Sequence, residues 1–469
     1  MAPNWAYWKK FLSENKHVEC ALCLYWGWQF AFFWSGLFQK TPNSPDMGFL
    51  GNVWMMSLIP FALSVLLIII ASPLRHAITS SPGASYLMSG LLSISIFLLA
   101  LQSAPISLML PATLLTGLAT GAYTVCFGRL LSRYRPKQVL TLTAVATSAG
   151  AACSLAVSSL DFLLACVAMA AIPFFIARFY ARALASTSGP ETSHEAKASA
   201  VGSYSRVTYL LFLVVTALMG VSIALVRYSL GADIYSPVNV CIFNCTVFMA
   251  GVLLCLSHLS SDGRPSAIFF AILGVAVSAC GTLSLIIQNA SFSFAIHTLS
   301  FTYFNGFFWM LATGFSLRTP DCTRAFALTQ LTMQLGLIVG TVLGDATMPL
   351  ESHGSYAALV AGYAVQLLSV VFLATFRSSL PCAPHGYELR ATCASIGACY
   401  GLTKREAEIL ACLYQGMSRT DMSTQLDISN ETVKTHVSHI YAKTGLHSRQ
   451  ELVDLMNKQA AANRLDILD

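Results

Sequence analysis

Residues 50–72 of the chain read LGNVWMMSLIPFALSVLLIIIAS, a run without a charged side chain. A helix needs about 20 apolar residues to cross the hydrocarbon core of a bilayer, so this stretch predicts a transmembrane helix. Across all 469 residues, 55% are hydrophobic and only 10% are charged, where a soluble globular chain has roughly 25% charged residues. The mean hydropathy is +0.64. This composition excludes an ordinary soluble enzyme and indicates a multi-span membrane protein.

Comparable apolar stretches recur through residues 1–376 and predict twelve transmembrane helices. They lie near residues 18–38, 50–72, 84–101, 105–127, 138–159, 161–180, 207–228, 237–259, 266–287, 294–317, 325–345 and 355–376. The longest connection, 181–205, divides them into six plus six. This layout resembles the major facilitator superfamily, in which two six-helix halves surround a central cavity. The superfamily's basic loop between spans two and three is replaced here by SPLRH at 72–76, and only a fragment, DGR at 262–264, follows span eight.

The distribution of basic residues predicts the orientation of this body. If the N-terminus is cytoplasmic, fifteen Lys and Arg residues of the loops and span ends lie inside, and two, Lys40 and Arg227, lie outside. Inner loops of membrane proteins carry this excess of positive charge. We therefore expect a multi-pass protein of the cytoplasmic membrane with both termini in the cytoplasm.

No predicted span has a charged residue at mid-depth, where the polar residues are neutral. Carriers coupled to ions usually keep charged residues there. Four of the aromatic and amide side chains are candidate ligand-binding residues: Trp28, Asn239, Asn305 and Gln334. The alternative roles are hydrogen bonding between helices for the amides and anchoring at the membrane interface for the tryptophan. Most of the 14 cysteines lie inside apolar blocks, where a thiol behaves as a small hydrophobe. We therefore expect neither a metal site nor a cofactor.

The last 93 residues are about twice as charged per residue as the body, with ten basic and ten acidic side chains. Residues 377–400 contain two prolines and two glycines and predict a cytoplasmic linker, and residues 401–469 predict a soluble helical domain. Capping residues mark the helix starts, namely Thr403 with Glu406, Ser429, and Ser448 with Glu451. Four short helices with a tight turn between the second and third predict a helix-turn-helix, whose third helix enters the major groove.

The third predicted helix starts after Ser429 and ends at Gly445. A rotation of about 100° per residue places its apolar side chains on one face, and His436 lies towards that face, where we expect a structural hydrogen bond. The inward residues are Val433, Val437 and Ile440, and the outward residues are Lys434, Thr435, Ser438, His439 and Ala442. Small outward side chains allow close approach to the bases, and Lys434 can reach a base edge or a phosphate. We expect Lys443 and Arg449, which flank the helix, to contact phosphates. From residue 432 to 449 there are three basic residues and no acidic one.

These residues closely resemble the LuxR-type DNA-binding domain over positions 402–459. The matching segments are LTKREAEIL at 402–410, GMS at 416–418, ISNETVKTHV at 428–437, IYAK at 440–443 and SR at 448–449. Ser423 and Thr444 depart from the usual Ala and Leu. The resemblance implies double-stranded promoter DNA as a partner and a homodimer that pairs through the fourth helix. The candidate DNA-binding residues are Thr403, Ser429, Thr432, Lys434, Thr435, Ser438, His439, Lys443 and Arg449.

Two hypotheses for the whole chain follow. The first is a membrane-anchored transcription regulator whose body senses a small molecule or an envelope signal and whose tail binds promoter DNA. The second is a transporter of the major facilitator type with a regulatory DNA-binding tail. We expect no enzyme, because the sequence contains no pairing of nucleophile and base, no metal-ligand spacing and no phosphate-binding loop.

Overall fold

The structure is a computed structural model, and it describes most of the predicted helices. The described residues are 5–38, 53–101, 106–134, 136–186, 206–230, 235–259, 290–317, 319, 321–347, 364, 367–368, 385–414, 419–426, 428–446, 448, 451–452, 454–456 and 459. Within these ranges the chain is helical, with turns and bends between helices and no strand. The chain divides into two compact units, Met1–Ser193 with Ser203–Cys382 and His194–Gly202 with Ala383–Asp469. The predicted all-α fold is confirmed.

The first unit is the membrane body. Its described helices are α1 (Trp5–Glu14), α2 (Lys16–Trp34), α3 (Val53–Ile70), α4 (Ser72–Ser80), α5 (Pro82–Ala100), α6 (Ile106–Leu131), α7 (Pro136–Ser158), α8 (Phe162–Ser186), α9 (Arg206–Leu230), α10 (Pro237–Leu259), α11 (Ala290–Ser316) and α12 (Cys322–Thr347). Eight described helices, α3, α5 to α10 and α12, are long and apolar enough to cross a membrane. Helices α2 and α11 occupy the first and tenth predicted spans. Predicted span 266–287 and nearly all of 355–376 lie outside the described residues, so the count of twelve stays a prediction.

The helices of the body pack in pairs within each half and across the two halves. In the first half α2 packs on α7 and α8, and α3 packs on α6; in the second half α9 packs on α12, and α10 packs on α11. Across the halves, α12 contacts α3 and α6, and α10 contacts α7. The interior of this assembly is rich in aromatic side chains, and its largest fully buried residues include Tyr25, Trp28, Phe32, Tyr123 and Phe127. Burial of such large apolar side chains stabilises the packing of the helices.

The segment that departs from the superfamily's basic loop forms α4. Its Arg75 donates hydrogen bonds to the carbonyl oxygens of Ile68 and Ile69, each at 3.0 Å, and pairs with Asp321 at 2.6 Å. Asp321 also accepts the backbone N–H of Arg324 at 2.9 Å and so caps the start of α12. An ion pair therefore joins the first half to the second at the end of the body that we expect to face the cytoplasm.

Helices α9 and α12 approach closely because glycines face the neighbouring backbone. A Cβ atom added at Gly336 would overlap the carbonyl oxygen of Ala217, and one added at Gly220 would overlap that of Met333. Small residues at helix contacts permit this close packing in membrane proteins. The contact between α9 and α12 therefore requires glycine at these positions.

Replacement of Gly336 by alanine should destabilise the body, because the new methyl group overlaps a backbone oxygen that cannot turn away. We expect Gly336→Ala to lower the free energy of unfolding by about 1–3 kcal/mol, measured by thermal unfolding of the detergent-solubilised chain. The control is Gly90→Ala in α5, because nothing lies within 4 Å of a Cβ at that position. Equal effects of the two substitutions would contradict this account of the helix contact.

The second unit has its own apolar core. Its described helices are α13 (His385–Tyr400), α14 (Lys404–Tyr414), α15 (Arg419–Leu426) and α16 (Asn430–Thr444), and described residues 451–452 and 454–456 are also helical. The buried core residues are Cys393, Ile396, Ile409, Leu410, Cys412, Leu413, Met422, Val433, Ile440, Leu452 and Met456. All four predicted helices of the domain therefore contribute to one core.

The structure differs from the sequence prediction at residues 385–400, which form a helix rather than linker. Helix α13 buries Cys393 and Ile396 in the core of the second unit, and Gln459 Nε2 donates to Ser395 Oγ at 3.1 Å. The helix ends before Gly401, whose φ of +65° is a left-handed conformation that glycine adopts without strain. The folded tail therefore begins before residue 401.

Candidate nucleic-acid interface

The first helix of the predicted domain, α14, starts with a reciprocal cap. The Thr403 backbone N–H donates to Glu406 Oε2 at 2.7 Å, and the Glu406 backbone N–H donates to Thr403 Oγ1 at 3.3 Å. Each side chain thus satisfies a backbone donor that the first turn of a helix leaves without a partner. The predicted capping box is confirmed, and it fixes the Glu406 side chain at the start of α14.

Glu406 also holds the far end of α16. Its carboxylate is buried, and it accepts the Lys443 ammonium at 2.7 Å on Oε2, while His439 Nδ1 lies 3.6 Å from Oε1. Lys443 donates a further hydrogen bond to the Gly401 carbonyl oxygen at 3.1 Å. The sequence identified Glu406 only as a capping residue, because nothing local indicates a partner 37 positions away. Lys443, a predicted phosphate contact, is therefore engaged by the protein.

These contacts determine the charge of Glu406. The Lys443 ammonium, followed by the Thr403 backbone N–H, lowers the pKa of this carboxyl from 4.5 to about 2. The charged form is stabilised, so the side chain is an anion at neutral pH. The ion pair with Lys443 then fixes the position of α16 relative to α14.

Helix α16 has a defined start and end. The Ser429 side chain accepts the Thr432 backbone N–H at 3.1 Å, and its hydroxyl lies 2.8 Å from that of Thr432. At the other end Gly445 has φ +69° and donates its N–H to the Tyr441 carbonyl oxygen at 2.9 Å. Both caps match the sequence prediction. Ser429 and Thr432 therefore have a structural role at the helix start.

The two faces of α16 follow the predicted rotation. Val433 and Ile440 are buried, and Val437 is half-buried against the same core. The opposite face is exposed: it carries Lys434, Thr435, Ser438, His439 and Ala442. His436 is half-buried, and its Nδ1 has no hydrogen-bond partner, so the structural hydrogen bond expected at this residue is absent at that atom. Helix α16 thus presents a polar surface of small side chains around one lysine.

Lys434 supplies positive charge on this exposed surface. Its side chain is 62% exposed, and its ammonium lies 3.8 Å from the carboxylate of Glu431, whose side chain is 84% exposed. Such a surface pair is weak, so the ammonium can exchange Glu431 for a phosphate or a base edge. The Thr435 hydroxyl donates to the Glu431 carbonyl oxygen at 2.9 Å. Arg449, the other predicted phosphate contact, lies outside the described residues.

The turn between α15 and α16 is held by side-chain and backbone contacts. Arg405 donates to the Leu426 carbonyl oxygen at the end of α15 and pairs with Glu408 at 2.7 Å. The Ile428 N–H donates to the Ser423 carbonyl oxygen at 3.1 Å. Arg405 is a positioning residue that the sequence did not single out. These contacts attach the end of α15 to α14 and close the start of the turn that leads to α16.

Thr444 shows how the domain tolerates a departure from the usual sequence. Its side chain is buried where the family usually has leucine, and its hydroxyl donates to the Ile440 carbonyl oxygen at 2.7 Å. A buried hydroxyl that is hydrogen-bonded avoids most of the cost of desolvation.

The fourth helix is capped as predicted, since the Glu451 N–H donates to Ser448 Oγ at 3.2 Å.

Among the described residues, Glu406, His436 and His439 bring potential metal ligands within 4.8 Å of one another. The Glu406 carboxylate is already bound by the Lys443 ammonium at 2.7 Å. A cation would have to displace that ammonium, so we interpret the cluster as an ion-pair network that positions α16.

The candidate ligand residues of the body lie on different helices. Trp28 on α2 is fully buried and stacks on Phe32. Its Nε1–H donates to the Met169 carbonyl oxygen at 2.9 Å, and this hydrogen bond holds α2 against α8. Asn239 on α10 is buried, whereas Asn305 on α11 and Gln334 on α12 are half-buried. Gln334 Oε1 is buried without a hydrogen-bond partner. Their role in ligand binding stays a prediction.

The family model "Bacterial regulatory proteins, luxR family" matches residues 401–456. The tail is a LuxR-type helix-turn-helix domain. Its relatives include the Fimbriae Z protein of Escherichia coli K12, 47% identical over 53 residues, which are 11% of this chain and 25% of that protein. Another is the regulator MalT of Yersinia pestis, 40% identical over 52 residues, which are 11% of this chain and 6% of that protein. The chain thus matches only a small part of these relatives, which is the LuxR-type domain.

The body has the fold of the major facilitator superfamily. The chain is similar to the proton:xylose symporter XylE, with a TM-score of 0.54 and 11% identity over 79% of this chain and 96% of that one. It is also similar to a bacterial homologue of the iron transporter ferroportin, with a TM-score of 0.53 and 12% identity over 78% of this chain and 99% of that one. At this identity the likeness describes the fold alone. The chain therefore joins a multi-pass body of this fold to a LuxR-type domain.

Removal of the Lys443 ammonium should destabilise the LuxR-type domain, because it leaves the Glu406 carboxylate buried without its partner. We expect Lys443→Met to lower the free energy of unfolding by about 2 kcal/mol. This loss is smaller than for a fully buried ion pair because the Lys443 side chain is 35% exposed. Thermal unfolding of residues 383–469 by circular dichroism measures this loss. The control, Lys434→Met on the same helix, should change stability by less than about 0.5 kcal/mol. A similar loss in both variants would contradict the role of the pair.

Acid should weaken the same domain through Glu406. Because folding lowers this pKa from 4.5 to about 2, the contribution to stability is fully present above pH 4.5 and is lost as the pH falls towards 2. We expect Glu406→Gln to be less stable than the natural domain at neutral pH, and the difference to shrink below pH 4.5. Unfolding of both domains by urea, repeated between pH 7 and about pH 2, measures the difference in their free energies of unfolding. A difference that does not vary with pH would refute the role of the Glu406 carboxylate.

Proposed function

We propose that the protein is a membrane-anchored transcription regulator. In this proposal the LuxR-type domain binds double-stranded promoter DNA in the cytoplasm, and the body, within residues 1–376, senses a small molecule or an envelope signal. The observation that carries the proposal is the exposed face of α16, where Lys434, Thr435, Ser438 and His439 are presented to solvent over a buried apolar face.

In this proposal α16 is the recognition helix that enters the major groove. Lys434 reaches a base edge or a phosphate, while Thr435 and Ser438 allow the backbone to approach the bases. Arg449 and the one remaining N–H of Lys443 contact phosphates. The start of α16 faces the DNA backbone, and the hydroxyl groups of Thr432 and Ser429 donate hydrogen bonds to it. Thr403, at the start of α14, supplies a further polar contact.

We propose that two copies bind neighbouring half-sites. A helix-turn-helix dimer places its recognition helices about one turn of DNA apart, and the fourth helix, which follows Ser448, is the element that pairs in the LuxR family. Both termini are cytoplasmic in this arrangement. A signal bound by the body changes regulation only if it binds one body conformation better than another. The helix α13, which packs in the core of the tail, is the first element through which such a change would pass.

Loss of the polar groups of α16 should weaken promoter binding without unfolding the domain. We expect Lys434→Ala combined with Thr435→Ala to reduce promoter binding by the full chain at least tenfold, since a base contact made by two groups contributes about 1–3 kcal/mol. The measurement is fluorescence anisotropy with promoter DNA, together with a reporter gene in cells. Binding by the natural chain should weaken at least about tenfold as salt rises from about 50 to 200 mM, because phosphate contacts release counterions.

The matched control is Cys399→Ala, which changes an exposed residue of α13 rather than α16. It should leave both the affinity and the reporter output unchanged. Unchanged reporter output from the double variant, with the protein present in the membrane, would count against DNA reading by α16. Uptake of a solute into vesicles that depends on Asn239 or Asn305 would instead favour a transporter with a regulatory tail.

A further inference from the structure

Arg227 is a charged residue buried in the membrane body. It lies near the end of α9, in the predicted seventh span, and its residue is only 3% exposed. The sequence placed it among the few basic residues on the outer side. The structure instead surrounds it with residues from both halves of the body.

The guanidinium of Arg227 lies between two tryptophan rings. Its Cζ atom is 3.9 Å from the ring centroid of Trp34, at the end of α2, and 3.9 Å from that of Trp54, at the start of α3. Nη2 donates to the Phe33 carbonyl oxygen at 2.9 Å and to the Tyr235 hydroxyl at 2.9 Å. Cation–π contacts of this kind stabilise a desolvated cation and restrict the orientation of the guanidinium plane. The position and orientation of the guanidinium are therefore fixed.

The other nitrogen donors of this guanidinium have no acceptor among the residues that the structure describes. Nε and Nη1 are buried without a hydrogen-bond partner, and within the described part of the chain no carboxylate pairs with Arg227. Folded proteins rarely bury a charge without an opposite charge, and they rarely leave buried donors unsatisfied, because desolvation is costly. Among the described residues, no anion accepts these hydrogen bonds.

The residues around the guanidinium favour an anion whose carboxylate is attached to an aromatic group. Trp34 stacks on Phe243 of α10 with ring centroids 4.7 Å apart, and Phe243 stacks on Phe294 of α11 at 6.2 Å. Aromatic faces and edges bind planar apolar groups, while the guanidinium binds a carboxylate. We propose that Arg227, Trp34 and Trp54 form a binding site for an organic anion that carries a carboxylate on an aromatic body.

This site provides a route by which the ligand acts on the body. Trp34 and Trp54 belong to the first half, and Arg227, Tyr235 and Phe243 belong to the second. An anion that binds there interacts with both halves and so stabilises one arrangement of the halves over others. The link from this site to gene regulation rests on the proposed function, whereas binding of the anion does not.

The test uses the detergent-solubilised full chain with four probes: benzoate, acetate and their neutral amides, benzamide and acetamide. At about 10 mM, benzoate should raise the unfolding temperature by about 3 °C, because a ligand that binds the folded state stabilises it. Acetate should give a smaller rise, and the amides should give none. An unfolding temperature that neither carboxylate changes would overturn the proposal.

Variants locate the effect. Arg227→Gln should abolish the benzoate shift, and Arg227→Lys, which keeps the charge if the first variant folds poorly, should retain less than half of it. The matched control is Arg324→Gln, an exposed arginine of α12, which should keep the full shift. A shift that survives in both Arg227 variants overturns the proposal. The double variant of Lys434 and Thr435 should also keep the shift, so a failure of DNA reading is distinguishable from a failure of this site.

One alternative partner for Arg227 is Asp233, which lies outside the described residues. If the anion comes from outside the chain, Asp233→Asn should bind benzoate at least as well as the natural protein. A benzoate shift that appears only in Asp233→Asn would mean that the chain supplies its own counter-ion, and the proposal would be wrong.

Discussion

The carboxylate of Glu406 joins the parts of the tail that must be held in a fixed geometry. It caps α14 through the Thr403 N–H at 2.7 Å and binds Lys443 near the end of α16 at 2.7 Å. Because α16 is attached in this way at one end and capped by Ser429 at the other, its polar face is rigidly presented. A small domain with a modest core needs such polar contacts in addition to apolar burial. The exposed face of α16, the proposed recognition surface, therefore depends on the Glu406 carboxylate, which is not itself among the proposed DNA contacts.

The membrane body follows a different constraint. In a bilayer every backbone polar group must be bonded within the protein, so the chain crosses as helices, and close contact of those helices requires small residues such as Gly336 opposite Ala217. Ion pairs and charges are then placed where they have a specific role. Arg75 and Asp321 join the two halves at one end, and Arg227 lies between Trp34 and Trp54. The two halves are therefore connected by charged groups as well as by apolar packing.

Local signals in the sequence predicted much of this architecture. The apolar stretches predicted the membrane helices, the capping residues predicted the helix starts in the tail, and the 3.6-residue repeat predicted which face of α16 is exposed. Interactions between distant residues were not predicted. The pairing of Glu406 with Lys443 and the burial of Arg227 depend on the folded arrangement, which composition and spacing do not encode.

Helix α13 is the clearest difference between sequence and structure. Pro381, Pro384, Gly386 and Gly397 together indicate a flexible linker, but Cys393 and Ile396 supply enough apolar surface to pack a helix onto the tail. Tertiary packing outweighs weak local preference in this segment. A fragment that starts at residue 395 would lose more than half of this helix, including Cys393, so a soluble fragment of the LuxR-type domain should begin near residue 383.

The central claim is that one chain carries a membrane body and a domain that reads chromosomal DNA. Crosslinking of the full-length protein in cells, followed by isolation of the membrane fraction and sequencing of the attached DNA, tests it most directly. Discrete sites upstream of genes, recovered with the membrane fraction, are the predicted result. Recovery of no enriched site from cells that contain the intact protein in the membrane would contradict the claim.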